Sequence, residues 1–185
     1  IGMLFSNEII DVVRESIKDL TIPIVFDPVF ISKAGSKLLN DDAIENMKSI
    51  LPLCTVTTPN LFEAKELFNY DPANIKSKDV INSQNCAVLI KTHVLESGEE
   101  TKSIDRLFIN NKEVDFETKY EPSENTHGTG CSFSSAITAN LALGKDLETA
   151  ISISKKFVHN AIVNGPTIGG GKRPIAHKVG GELCH

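Results

Sequence analysis

The segment Asn125-Thr126-His127-Gly128-Thr129-Gly130-Cys131 gathers residue types suited to holding and transferring an anion. Its two glycines let the backbone approach a ligand closely and take torsions closed to other residues. A long helical pattern follows at once, so the loop is a helix start. There the first N–H groups lack internal partners and lie at the positive end of the helix dipole. Such a place cradles an anion such as a phosphoryl group. Cys131 lies in the same field, which favours a thiolate, and is therefore a candidate base or reactive group. The same residues also fit a plain tight loop with a buried cysteine behind it, and short glycine patterns recur by chance. The loop alone does not decide between these readings. The other glycine cluster, Gly169-Gly170-Gly171-Lys172-Arg173, has no Ser or Thr after its Lys and follows no strand. It is not a Walker A loop, and a dinucleotide-binding GxGxxG is absent as well.

A scaffold must present that loop, and the hydrophobic pattern describes one. Ile1 to Leu4 reads as the end of a buried strand, and Asn7 as the cap of a helix with an apolar stripe of Ile9, Ile10, Val12, Val13 and Ile17. The apolar run Ile22 to Phe26 stops at Asp27-Pro28, as expected of a parallel strand covered on both faces. A helix is expected from Asp41 to about Ile50, and a strand over Cys54 to Thr57. Thr58-Pro59 starts a further helix, with Pro at its first position and Glu63, Ala64 and Leu67 along it. A short helix near Lys78 to Ser83 precedes an apolar strand, Cys86 to Lys91, that ends in a cation. Ile104 to Asn110 and Glu113 to Thr118 form a hairpin about Asn110-Asn111. The helix after the glycine loop runs to Leu143 with Gly144 as its C-cap, another covers Asp146 to Val163, and the tail from Gly165 is loop.

Strands alternating with helices imply right-handed βαβ units and a mostly parallel sheet. Ligands of such sheets bind at the carboxyl ends of the strands. Met3, Asp27, Thr57 to Asn60, Lys91 and the His127 loop all fall at such ends in this reading.

Bulk properties narrow the function. A chain of 185 residues with 41% hydrophobic content suits one α/β domain, and a net charge of −5 gives no basic footprint for nucleic acid. An anionic substrate must then be held by local groups and not by the overall field. The four cysteines, 54, 86, 131 and 184, show no CxxC pair, so reduced thiols in a cytoplasmic protein are expected and a zinc site is not. No apolar run approaches the length of a membrane span, and no signal peptide is visible.

Taken in order, several motifs resemble one family. His127-Gly128-Thr129-Gly130-Cys131, followed by Ser134-Ser135-Ala136-Ile137 and Ala139-Asn140-Leu141-Ala142, closely resembles the phosphate loop of hydroxymethylpyrimidine/phosphomethylpyrimidine kinases, a branch of the ribokinase-like superfamily. Gly2-Met3-Leu4, Asp27-Pro28-Val29, Gly35-Ser36-Lys37-Leu38-Leu39 and Thr58-Pro59-Asn60 with Glu63-Ala64 match the same family in the same order. The resemblance implies a ribokinase-like α/β/α sandwich with a mostly parallel central sheet, spanning residues 1–185 as a single kinase domain. It also implies ATP-dependent phosphorylation of hydroxymethylpyrimidine or its monophosphate in thiamine biosynthesis, with Mg²⁺. In this family the glycine loop is the anion hole, so Gly128, Thr129, Gly130 and the Cys131 N–H take that part, with the Cys131 thiolate as base or as the group that positions the substrate hydroxyl. Many sugar kinases of the superfamily carry Asp there. Phosphoryl transfer depends chiefly on positioning and charge stabilisation. On the magnesium and phosphate side the resemblance places Asp27 and Glu63 as metal-binding carboxylates, with Lys91, Asn60 and His127 toward the nucleotide. Met3 and Val29 match positions that pack the pyrimidine ring.

Departures from the family pattern matter too. After its strand Lys the family continues with two glycines and then His, whereas this chain reads Lys91-Thr92-His93, which puts the nucleotide contacts there in doubt. Thr-His after the strand resembles pyridoxal kinases, so pyridoxal or pyridoxine is an alternative substrate. A non-catalytic pyrimidine-binding regulator is a third reading, opposed by the presence of Asp27, Glu63 and Cys131 together. The Gly170-Gly171-Lys172-Arg173-Pro174-Ile175 ending is followed by Ala176-His177 in place of the family's Asn-His, and it receives no role. The chain opens at Ile1-Gly2-Met3-Leu4 inside an apolar run, so the N-terminus is expected to be cut, with the family's first βαβ region and its ring-binding residues missing and the piece itself poorly soluble or inactive alone. Members of the family are commonly dimers, and a homodimer is part of the expectation.

Overall fold

The computed structural model describes residues 1–30, 39, 41–82, 84–97 and 100–184. Its elements are α1 (Asn7–Ile17), β1 (Val25–Phe26), α2 (Asp41–Met47) running into a 3₁₀ turn (Lys48–Leu53), β2 (Val56–Thr57), α3 (Leu61–Phe68), α4 (Ile75–Asn82), β3 (Ala87–Ser97), β4 (Glu100–Ile109), β5 (Lys112–Lys119), α5 (Thr129–Ala142), α6 (Leu147–Val163) and α7 (His177–Glu182). The Gly35-Ser36-Lys37-Leu38 segment and the side chains of Thr92 and His93 lie outside what is described.

The strands form one sheet in the order β1-β2-β3-β4-β5. Val25 pairs with Val56, and Val56 in turn with Ala87, both in parallel register. β4 and β5 are joined by two residues, a connection open only to antiparallel neighbours. The sheet is therefore mixed, with a parallel half and a hairpin half. Asn110 and Asn111 both have positive φ, 49° and 59°, the two left-handed positions that a tight hairpin turn needs. The turn chemistry expected from the Asn pair is what forms there. Arg106 closes the hairpin with a forked pair to Asp115, its Nε and Nη2 each 2.7 Å from one carboxylate oxygen.

The chain divides into two compact units, Ile1–His93 with Asp105–Asp115, and Val94–Ile104 with Phe116–His185. The first unit holds the larger core. Phe26 and Val56 of the short parallel strands, with Val88 and Ile90 of β3, are buried completely. Ile10, Phe30, Met47, Ile50, Ala64, Leu67, Phe68 and Phe108 pack in the same cluster. Burial on both faces is why the segment that ends in β1 reads as an apolar run. In the second unit, Phe133 and Ile137 of α5 and Ala150, Ile151 and Ala161 of α6 are among the buried residues. Asp146 caps α6 by accepting the Thr149 N–H at 2.9 Å, and Gly144 takes a φ of 79° after α5, the latter as expected.

Several expectations need correction. Ser6, not Asn7, caps α1, and Ile9 and Val12 face outward at 44% and 65% exposure, so the buried stripe is narrower than the apolar one. Pro59 is not the first residue of α3. It precedes the true N-cap, Asn60, whose side chain offers the helix a better start. Lys91 does not end a strand, because β3 continues to Ser97 into the long hairpin. The tail from Gly165 is not all loop. It contains α7, where a Cβ added to Gly180 would come within 2.8 Å of the Ala161 side chain and the Phe157 carbonyl. The glycine that looks like a helix breaker is what lets α7 lie against α6. Among the described residues no helix is long and apolar enough to cross a membrane.

Candidate active site

The candidate residues fall into two groups, one in each unit. In the first unit, β1 delivers Asp27 at its carboxyl end, and Asp27 is 2% exposed. Its Oδ1 accepts from Lys91 Nζ at 2.7 Å and from Thr58 Oγ1 at 3.2 Å. Lys91 reaches it because the Lys91 N–H donates to the Pro59 carbonyl at 2.9 Å, with Asn60 and Lys91 paired as a parallel bridge. Burying a carboxylate alone is costly, and an ammonium at contact distance with a hydroxyl beside it offsets much of that cost.

Glu63 lies in the first turn of α3 and is also 2% exposed. Its Oε2 accepts the Asn60 N–H at 2.8 Å, while Asn60 Oδ1 accepts the Glu63 N–H at 2.9 Å. This reciprocal capping box satisfies two otherwise orphaned donors. Burial pushes the Glu63 carboxyl up to about 7, and the negative charge of Asp27 adds to it. The Asn60 hydrogen bonds and Lys91 oppose the shift without cancelling it. The buried Glu63 carboxyl therefore holds its proton more readily than an exposed one does.

The oxygen donors of Asp27 and Glu63 suit a hard cation. Mg²⁺ is ordinarily held by one or two carboxylates, with water and substrate phosphate completing its shell. The pair fits that shared mode and not an all-protein cage, since among the described residues no cluster of three or more acidic, His or Cys side chains could hold a metal alone. Met3 is 45% exposed and Val29 is half-buried, so neither is an ordinary core residue.

The second group is the glycine loop. Gly128 has φ 85° and ψ 2° and is the N-cap of α5. An L side chain rarely adopts that conformation, which accounts for glycine there. The Gly128 carbonyl accepts the Ser132 N–H at 2.9 Å, and Thr129 Oγ1 donates to the Thr126 carbonyl at 3.1 Å. Among the described residues, none accepts a hydrogen bond from the amides of Gly128, Thr129, Gly130 or Cys131. Cys131 is exposed, which removes the reading of this loop as a turn backed by a buried cysteine. The loop does not sit at the end of a sheet strand, as the sequence pattern suggested. It follows an irregular stretch after β5 and is pinned instead by the C-terminal segment, with the His127 N–H donating to the Arg173 carbonyl at 3.0 Å and His127 bridged to Pro174.

Three contacts were not legible in the sequence. Thr58 stood in the Thr58-Pro59-Asn60 motif, but its hydroxyl bond to Asp27 carried no signal, because the contact spans 31 positions. Ser132 Oγ lies 2.8 Å from His177 Nε2 directly after Cys131, although His177 had been given no role. Asn125 was seen only as part of the loop motif, yet its Nδ2 donates to the Gly165 carbonyl at 2.9 Å.

The described architecture is similar to that of solved kinases. The structure of pyridoxal kinase from Staphylococcus aureus in complex with ADP superposes with a TM-score of 0.82 at 32% identity, over 96% of this chain and 66% of that one. The fold is thus that of the ribokinase-like α/β kinases.

Within that class the chain belongs to the phosphomethylpyrimidine kinase family, which it matches over residues 1–176. It is 34% identical to a hydroxymethylpyrimidine/phosphomethylpyrimidine kinase of Staphylococcus aureus strain Mu50, over 95% of this chain and 66% of that protein. It is 35% identical to the protein of the same description from Haemophilus influenzae, over 96% of this chain and 69% of that one. The chain thus spans about two thirds of the length of the relatives it matches.

Proposed function

We propose that the protein phosphorylates hydroxymethylpyrimidine or its monophosphate at the expense of ATP. The observation that carries this reading is the set of amides at residues 128–131 that find no acceptor among the described residues, beside an exposed Cys131. Amides that are aimed and unoccupied before the ligand arrives stabilise transferring charge without reorganising. In this reading the amides of Gly128, Thr129, Gly130 and Cys131 hold the phosphoryl group in transfer. The Cys131 sulfur takes the proton of the substrate hydroxyl or orients that hydroxyl for attack. Lys91, Asn60 and His127 serve the nucleotide, while Met3 and Val29 serve the pyrimidine ring. Asp27 and Glu63 would hold Mg²⁺, which when bound neutralises phosphate charge. The reading carries with it a cytoplasmic enzyme and a homodimer.

Family membership and the identity to named pyrimidine kinases support the substrate. The likeness to a pyridoxal kinase of known structure favours a second reading, phosphorylation of pyridoxal. The test is ATP consumption by the intact protein with each substrate alone and in competition. Turnover of hydroxymethylpyrimidine at a kcat/KM well above that of pyridoxal supports the proposal. The reverse order replaces it with the second reading, and pyrimidine binding without ATP consumption replaces both with a sensor.

A further inference from the structure

We propose that Asn125 is a positioning residue of the anion loop, acting through Gly165; the proposal rests on the kinase reading above. Asn125 is 9% exposed, and its Oδ1 is buried with no hydrogen-bond partner among the described residues. An idle buried acceptor costs about 1–3 kcal/mol. An apolar residue of similar size would avoid that cost, so filling space does not explain an amide here. What the amide gains is its other end, the Nδ2 bond to the Gly165 carbonyl at 2.9 Å, while its own backbone N–H is taken by Ser123 Oγ at 3.0 Å.

Gly165 is matched to this contact. A Cβ built on it would lie 2.4 Å from Asn125 Nδ2 and 2.5 Å from its Cγ. Gly165 shows no positive φ, so the need for glycine is steric: the carboxamide occupies the volume of the missing side chain. Gly165 in turn follows α6, its N–H donating to the Ile162 carbonyl at 3.1 Å. Asn125 therefore ties the entrance of the loop to the end of a 17-residue helix. A second tie lies beside it, since the Arg173 N–H donates to the Glu124 carbonyl at 2.8 Å and the His127 N–H to the Arg173 carbonyl at 3.0 Å. Residues 124, 125 and 127 are thus fixed just before Gly128, where the unpaired amides begin. A small rotation at Asn125 would re-aim all of them.

The experiment compares the intact protein with its Asn125→Ala, Gly165→Ala and Asn125→Ala/Gly165→Ala variants, in kcat, in KM for the pyrimidine and in melting temperature. A positioning role predicts that each single change lowers kcat about tenfold or more, as small misplacements of catalytic groups do. The pyrimidine KM stays within about twofold, because the lost interaction is one made in the transition state. The double variant is no worse than the worse single one, because removing the amide makes room for the new methyl group. An unchanged kcat in a folded Asn125→Ala protein overturns the proposal, as does an activity loss that merely tracks the unfolded fraction or fully additive single effects. If the unmodified protein consumes no ATP with either substrate, the kinase reading fails separately. Asn125 is then decided by the rate at which iodoacetamide alkylates Cys131, read by peptide mass spectrometry. A changed rate at unchanged melting temperature supports positioning, and an unchanged rate overturns it.

Discussion

Lys91 Nζ lies 2.7 Å from Asp27 Oδ1, with side-chain exposures of 11% and 3%. The two residues stand 64 positions apart in sequence, so the pair is made by the fold and reports on its integrity. Removing one member takes the opposite charge away from a buried ion, which costs up to about 3–5 kcal/mol. Lys91→Met should therefore lower the unfolding free energy by about that amount in urea titration. Asp27→Asn/Lys91→Met, which removes both charges, should recover much of the loss. Equal destabilisation by the single and double variants would show that the pair is not coupled.

Glu63 gives the protein a distinctive pH dependence. Its folded carboxyl titrates near 7, above the ordinary value of 4.5, because burial disfavours the anion. The folded state therefore holds the proton more tightly than the unfolded chain does. The contribution of this group is fully present below about pH 4.5 and is lost as pH rises through 7. The loss is on the order of 3 kcal/mol at most. Glu63→Gln keeps the capping geometry and removes the titration. Wild type should lose stability against this variant between pH 5 and pH 8, as read by denaturant midpoints at each pH. Parallel profiles for the two proteins would contradict the shift.

Cys131 is exposed on the first turn of α5, so its replacement should spare the fold. Cys131→Ala should leave the melting temperature within a few degrees of wild type. It should lower kcat by about 10²- to 10⁴-fold, the usual range for a lost proton-transfer group. Loss confined to KM would assign Cys131 to ground-state binding alone.

Gly128 has a φ of 85°, where an L residue is strained by roughly 1–2 kcal/mol. There is room for a methyl group at this position, since a Cβ there meets nothing within 4 Å. Gly128→Ala should thus act through torsion and not through crowding, re-aiming the amides that follow. The expected outcome is weaker protection by ADP in thermal-shift titration, with modest loss of stability in the unliganded protein. Unchanged protection would remove Gly128 from the phosphate site.

Much of this was legible in local chemistry. The Asn110-Asn111 turn, the Asp146 cap and the Gly144 stop are each decided by residues within a few positions of one another. Asn60-x-x-Glu63 was equally visible as a capping box, and reading Pro59 as the first helical residue overlooked it. The Asp27–Lys91 pair, the Thr58 hydroxyl and the Asn125–Gly165 contact were not legible, because each depends on segments brought together only by packing. α7 was missed for a related reason. Two glycines in six residues argue against a helix until the face of Ala161 is there to receive one of them.

In the proposed site the Glu63 carboxylate would serve both the helix cap and a cation. The oxygen that steadies the start of α3, Oε2, belongs to one of the two acids proposed to meet a cation, so a cation that takes Oε2 as well would compete with the cap. A ligand that draws Glu63 toward itself releases the Asn60 amide and lets the helix fray there. Deuterium uptake at Asn60 would then rise with occupancy while the surrounding core slowed, making this helix start a built-in gauge of ligation.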